Sequence, residues 1–240
     1  MEQGVMEIKQ KQGLISFRIS NQGFTIVELL VGMVVSLLAM GAVYSTFLSQ
    51  HKSYLVQDQV SAMQQNLRAA MFYMQREIRM AGCDPLDTGN FGITTAQALA
   101  NSITFTEDIR GSAVGSPPDG TLQTAETIIY SLTGGNLVRD VGGGNQVVAQ
   151  NIDALDFVYL TGASPPVVLN PGGGDVPSGS ESQIRSVEIT IVARTGRGLL
   201  PTIDNNTYFN QRGTQILGPP NNNLSRRRLT TVIKCRNLGL

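Results

Sequence analysis

The residues that could do chemistry in this chain are few and badly placed for it. His51 is the one histidine, and Cys83 lies 32 residues further on. On a continuous helix that separation is about 48 Å, so no thiolate–imidazole pair joins them. A Ser-His-Asp set has no base to use, because His51 stands at the end of a long apolar stretch. The runs Gly142-Gly143-Gly144 and Gly172-Gly173-Gly174 precede neither Lys-Ser nor Lys-Thr, so they read as loops rather than phosphate cradles. Asp84, Asp87 and Asn90 are spaced by three and miss the alternating ligand pattern of a calcium loop, and Asp204, Asn205 and Asn206 read as a turn before they read as ligands. No catalytic residue, cofactor site or metal site is expected.

Charge excludes another class. Eighteen basic and eighteen acidic residues cancel, which leaves no electrostatic footprint for nucleic acid. Arg226, Arg227 and Arg228 form the one dense basic cluster. A run so short is expected in a solvated loop or strand edge, with DNA contact a weak alternative.

The charged group that does call for a partner is Glu28. Behind it, Leu29 to Leu48 are twenty residues without a formal charge. They span roughly 30 Å as a helix, the thickness of a bilayer's hydrocarbon core. A carboxylate at the edge of such a segment costs on the order of 1 to 3 kcal/mol unless something neutralises it.

The elements around these residues follow from punctuation. All ten prolines lie after residue 81, and Phe24 to Ala81 holds only two glycines, Gly32 and Gly41, so this stretch is expected as one helix. Past Gln50, Val56, Val60, Met63, Leu67, Ala70, Met74 and Ile78 recur at spacings of four and three, an apolar stripe on an amphipathic helix. Gly82 is the expected C-terminal cap. The remainder alternates short apolar runs with Gly, Pro and Asn, the texture of an antiparallel sheet with long loops. Strands are expected at 101–107, 126–133, 136–140, 146–149, 152–160, 185–194 and 229–237, with Gly134-Gly135 as a hairpin turn. Alternation in the strands from Ile152 and Arg185 predicts one buried face on each. The fold class is thus α+β, and loops 111–121, 161–183 and 195–225 are long.

Ahead of the helix, Gly23-Phe24-Thr25-Ile26-Val27-Glu28-Leu29-Leu30 resembles the class III signal of type IV pilins and type II secretion pseudopilins. The resemblance implies cleavage by prepilin peptidase between Gly23 and Phe24, N-methylation of Phe24, and a pilin-like fold. It also makes Glu28 the fifth residue of the cut chain, drawn in assembly to the terminal amine of a neighbouring subunit. Initiation at Met6 instead of Met1 would shorten a leader that is long for the family. Met74 to Cys83 and Thr231 to Asn237 resemble the helix end and closing strand of PilW-type minor pilins, relatives of the J-type pseudopilins.

The chain then divides into a cleaved leader (1–23), a transmembrane or fibre-core half of the helix (24–50), an amphipathic half (51–82) and a periplasmic β-rich domain (83–240). Lys9, Lys11 and Arg18 before the apolar segment, against Lys52 close behind it, keep the N-terminus cytoplasmic in a single pass of the inner membrane. In the oxidising compartment outside it, Cys83 and Cys235 are expected to form a disulfide, the alternative being two buried thiols. The resemblance makes the chain a minor pilin whose partners are other minor and major pilins, at a tip or in the complex that starts assembly. The alternatives are a J-type pseudopilin of a secretion pseudopilus and a membrane-anchored periplasmic binding or adhesion domain.

Overall fold

The computed structural model describes residues 23–93, 98–113, 115–198 and 202–239. The leader, with Met6, Lys9, Lys11 and Arg18, lies outside these residues. Helix α1 runs over Ile26–Ile78 without interruption, as the absence of proline allows. Its last turn tightens: Met80 N–H donates to Glu77 O at 2.8 Å and Cys83 N–H to Met80 O at 2.9 Å. Gly82 then turns the chain at φ +77°, and a Cβ there would stand 2.7 Å from Leu238 Cδ2. Only glycine fits both the turn and the close approach.

The chain forms two compact units, one ending at Gln50 and one running from His51. In the first, every large apolar side chain of α1 is exposed, from Ile26 at 81% to Leu48 at 41%. In the second, the stripe on α1 is buried at Met63, Leu67, Ala70, Met74 and Ile78, with Met71 added, while Val56 and Val60 are half-buried.

Strands β1 (Ser102–Thr106), β2 (Thr127–Thr133), β3 (Asn136–Asp140) and β4 (Gln146–Gln150) form an antiparallel sheet in chain order. Gly134 and Gly135, at φ +57° and +74°, make the two-residue turn that joins β2 to β3. Gly142 to Gly144 are the next turn: Asp140 Oδ1 accepts from the Gly142 and Gly144 N–H groups at 2.8 and 3.0 Å. A second sheet pairs β5 (Ile152–Leu160), β6 (Ser186–Arg194) and β9 (Arg226–Lys234), with β6 central. Phe157, Tyr159, Val187, Ile189, Ile191 and Ile233 meet Met74 and Ile78 of α1 and Ile103, Phe105 and Tyr130 of the first sheet in one core. Each such side chain contributes about 1.5 to 3 kcal/mol by leaving water.

The expectation of one buried face per strand is corrected. Asp156, Val158, Glu188, Thr190 and Val192 point away from that core and are buried as well, none more than 5% exposed. The segment after β6 covers them. It was expected to be a loop, yet it contains a small hairpin, β7 (Tyr208–Phe209) with β8 (Gln215–Leu217). Asn210 Nδ2 donates to Asp156 Oδ2 at 3.0 Å, and Arg212 lies 3.1 Å from Glu188. Burial pushes the carboxyls of Asp156 and Glu188 upward; Asn210 opposes this at Asp156 and Arg212 at Glu188. Polar residues on the outer face thus found partners in the chain instead of in water. Strand β9 also begins three residues earlier than expected, because Arg226 to Arg228 pair with Arg194, Ala193 and Val192.

Candidate functional site

Gly23 and Phe24 stand exposed immediately before α1, Phe24 at 86%. A Cβ at Gly23 would meet nothing within 4 Å among the described residues.

Thr25 and Glu28 answer each other across the first turn. The Glu28 N–H donates to Thr25 Oγ1 at 3.2 Å, and the Thr25 N–H reaches Glu28 Oε2 at 3.4 Å. This is a reciprocal capping box, in which two N–H groups that lack helical partners find side-chain oxygens. The Glu28 charge also faces the positive end of the helix dipole. Thr25 is a site residue that the sequence reading passed over, although Thr-x-x-Glu ahead of an apolar run is the signature of this box. Beyond it, Ser36 Oγ donates to Gly32 O at 2.7 Å and Thr46 Oγ1 to Ala42 O at 3.0 Å. Those hydroxyls are satisfied within their own helix, which leaves an apolar exterior. Its length and mean hydropathy of 2.4 suit a membrane span.

The structure does not bring the other candidate residues into one site. His51 lies on α1, and Cys83 follows its end. Asp84 accepts from Thr88 Oγ1 and the Gly89 N–H at 2.9 and 2.8 Å, so with Asp87 it belongs to a turn. Asp204 is taken up by Tyr208, Asn206 and Arg226, at 2.7, 2.7 and 3.1 Å. Burial opposes its charge, but these hydrogen bonds outweigh it and hold the carboxyl below its ordinary value.

Two expectations change. Cys83 and Cys235 are free thiols, and the bridge between them is not formed. Exchange and oxidation need a thiolate, and both sites disfavour one. Burial pushes Cys235 up to about 12, while burial and the charges of Glu107, Asp108 and Asp84 raise Cys83. The chain ends are tied by backbone instead, Cys235 N–H to Arg185 O at 3.0 Å and Arg236 N–H to Arg79 O at 3.4 Å. The basic triplet is also divided. The Arg226 side chain is 2% exposed, with Nε 2.6 Å from Asp153 Oδ2 and Nη1 3.1 Å from Asp204 Oδ2, and Arg194 holds the other Asp153 oxygen at 2.8 Å. Arg226 is therefore withdrawn from any DNA contact. Arg228 donates to the Phe209 carbonyl oxygen, and Arg227 and Arg228 are exposed.

Glu77, near the end of α1, accepts from Tyr130 Oη at 2.6 Å and Arg139 Nε at 2.8 Å, which pins the helix to the first sheet. Beside it Glu107 is buried without a donor for Oε2. Burial, with the charge of Glu77 next, pushes Glu107 up to about 7 against the pull of Arg139. No sequence pattern marked this pair, since residues 77, 107, 130 and 139 converge only in the fold.

Residues 18–44 match the model of the prokaryotic N-terminal methylation motif. Comparison with curated protein sequences returns no match. Among solved structures the chain is similar to a type IV-like pilin from Thermus thermophilus, at 13% identity and a TM-score of 0.45, over 75% of this chain and all of that one. A prokaryotic N-terminal methylation motif thus leads into one long helix with an apolar first half, and antiparallel sheets follow it.

Proposed function

We propose that this protein is a minor pilin: a subunit stored in the inner membrane, cut between Gly23 and Phe24 by prepilin peptidase, methylated at Phe24, and drawn into a type IV pilus. It binds other minor and major pilins and catalyses nothing. In the membrane its body is periplasmic and its N-terminus cytoplasmic.

The observation that carries this reading is the methylation motif laid over an apolar helix segment whose side chains are exposed among the described residues. Lipid and neighbouring helices both satisfy such a surface, so one segment serves storage and assembly in turn. Cleavage would free an ammonium on Phe24, four residues before Glu28, and the ammonium of a neighbour is the charge that a poorly hydrated Glu28 lacks. Gly23 fits a processing role because a Cβ there would meet no described residue within 4 Å.

The test compares Glu28→Gln with Glu28→Ala in cells. Glutamine keeps an oxygen for the Thr25 N–H and removes only the charge. Alanine also removes the side-chain half of the box, while its backbone N–H can still donate to Thr25 Oγ1. Both variants are expected to be cut and methylated normally, read by mass spectrometry of the N-terminus, and both to be missing from sheared fibres. Incorporation of Glu28→Gln at the wild-type level refutes the charge mechanism.

A further inference from the structure

The sheet of β5, β6 and β9 has two edges, and they are treated differently. Along β5 the edge is closed: the Phe157 N–H donates to Ala100 O at 2.7 Å, and Tyr159 O accepts from the Leu169 N–H at 2.9 Å. Strand β9 pairs with β6 without a bulge, from Arg226 opposite Arg194 to Lys234 opposite Ser186. Among the described residues no strand lies on its other side.

Backbone groups of an antiparallel strand point alternately to its two sides. Ser225 O accepts from the Thr195 N–H, and the Cys235 N–H donates to Arg185 O, so the odd-numbered residues of β9 face β6. The even-numbered ones face outward. Arg236 keeps that phase, with its N–H turned to Arg79 O at 3.4 Å, and there the open run ends. Before it, the N–H and C=O groups of Arg228, Thr230, Val232 and Lys234 find no partner among the described residues. Val232 is 51% exposed, and Arg228 and Lys234 are exposed too. Such a row of outward donors and acceptors is a template for another strand.

Charge selects the occupant. Residues 225–239 contain Arg226, Arg227, Arg228, Lys234 and Arg236 and no Asp or Glu, and all of these cations but Arg226 are exposed. The one acid of β6, Glu188 opposite Val232, is buried and paired with Arg212 at 3.1 Å. A second copy fits poorly. Antiparallel pairing of two β9 strands sets the arginine end of each against the Lys234 end of the other, and parallel pairing sets like residues side by side. Like charges facing each other across a ladder are destabilising. DNA fits no better, because carbonyl oxygens alternate with N–H groups along the edge and repel phosphate. Charges on an edge keep like strands away. Here they also set the sign of the strand that can approach.

We propose that the open edge of β9 takes up an extended acidic segment of another protein as a further antiparallel strand. The backbone of that segment bonds to Arg228, Thr230, Val232 and Lys234. Its carboxylates face Arg228 and Lys234, and its β-branched side chains face Thr230 and Val232. Arg228 and Lys234 are six residues apart, about 20 Å along the strand, so the acids of the segment share that spacing. The inference stands apart from the assembly reading, because it uses neither Glu28 nor the apolar half of α1 and its test needs no fibre.

The test follows backbone amide exchange by NMR in the full chain in detergent micelles. Without a ligand, the amides of Thr230 and Val232 are expected to exchange about tenfold faster than those of Leu229, Thr231 and Ile233, which face β6. The probe is acetyl-Glu-Ser-Val-Ser-Thr-Ser-Glu-amide. At about ten times its dissociation constant it should slow the outward amides about tenfold and leave the others unchanged. Two control peptides should not bind. One carries Lys in place of both Glu. The other is N-methylated at its valine and threonine, which keeps every charge and side chain but removes donors that face β9. Val232→Pro takes away an outward donor where an edge strand tolerates proline, and is expected to abolish binding. Lys234→Gln, at an exposed position, is expected to weaken it about threefold. Slow exchange at Thr230 and Val232 before any addition, no protection by the acidic peptide, equal binding of either control, or undiminished binding by either variant overturns the proposal. So does a DNA duplex that produces the same alternating protection.

Discussion

Helix α1 places the same kinds of residue under two opposite regimes. Between Ile26 and Leu48, leucine, valine and methionine stand exposed, and the hydroxyls of Ser36 and Thr46 bond within the helix. Between Met63 and Ile78, residues of the same types are buried against two sheets. The difference lies in what the rest of the chain supplies as cover. The β domain covers one stretch so fully that even the outer face of its central sheet is buried. Over the other stretch no described residue covers the apolar side chains.

That contrast is open to measurement, and the largest effect belongs to the outer face of the sheet. Arg226→Ala leaves Asp153 and Asp204 without their shared guanidinium and should cost about 3 to 5 kcal/mol in urea unfolding of the full chain in detergent. Arg227→Ala, one residue away and exposed, should stay within about 0.5 kcal/mol. Equal effects would mean that the hairpin segment does not close over that face.

Next come two substitutions on the same helix. Met74→Ala empties a fully buried position and should cost about 2 to 5 kcal/mol. Leu37→Ala, 66% exposed, should leave unfolding of the β domain unchanged within about 0.5 kcal/mol. A large loss from Leu37→Ala would erase the distinction between the halves.

The smallest effect is a pH dependence. The carboxyl of Glu107 moves from 4.5 up to about 7 on folding, so the folded state binds its proton more tightly. This contribution to stability is complete below pH 4.5 and is lost as pH rises through 7. Its size is on the order of 2 to 3 kcal/mol. Glu77 and Arg76 on α1, Tyr130 and Arg139 on the first sheet, and Glu126, Asp108 and Arg110 on the adjoining segments set the local charge. Glu107→Gln should flatten the difference in unfolding free energy between pH 5 and pH 8. Asp156 and Glu188, raised in the same direction, leave a residual slope in both proteins. An unchanged slope in the variant would place the buried proton elsewhere.

Much of the architecture was legible in residue order because it rests on local rules. Helix α1 follows from missing prolines and a glycine cap, and the β2–β3 turn from two adjacent glycines. Strands β3 and β5 lie at their expected bounds, 136–140 and 152–160. The Thr25–Glu28 capping box is written locally as well, since both residues lie within one turn of chain.

Only the tertiary structure decided what depends on residues far apart. It withdrew Arg226 from the surface by joining it to Asp153 and Asp204, and it kept Cys83 and Cys235 as thiols in surroundings that oppose a thiolate. It buried Asp156 and Glu188 under a hairpin that reads as loop, and it brought Glu77, Glu107, Tyr130 and Arg139 together. The physical reason is common to all four. Desolvation and charge pairing depend on the whole surroundings of a group, and those surroundings do not exist until the sheets and the helix have closed around it.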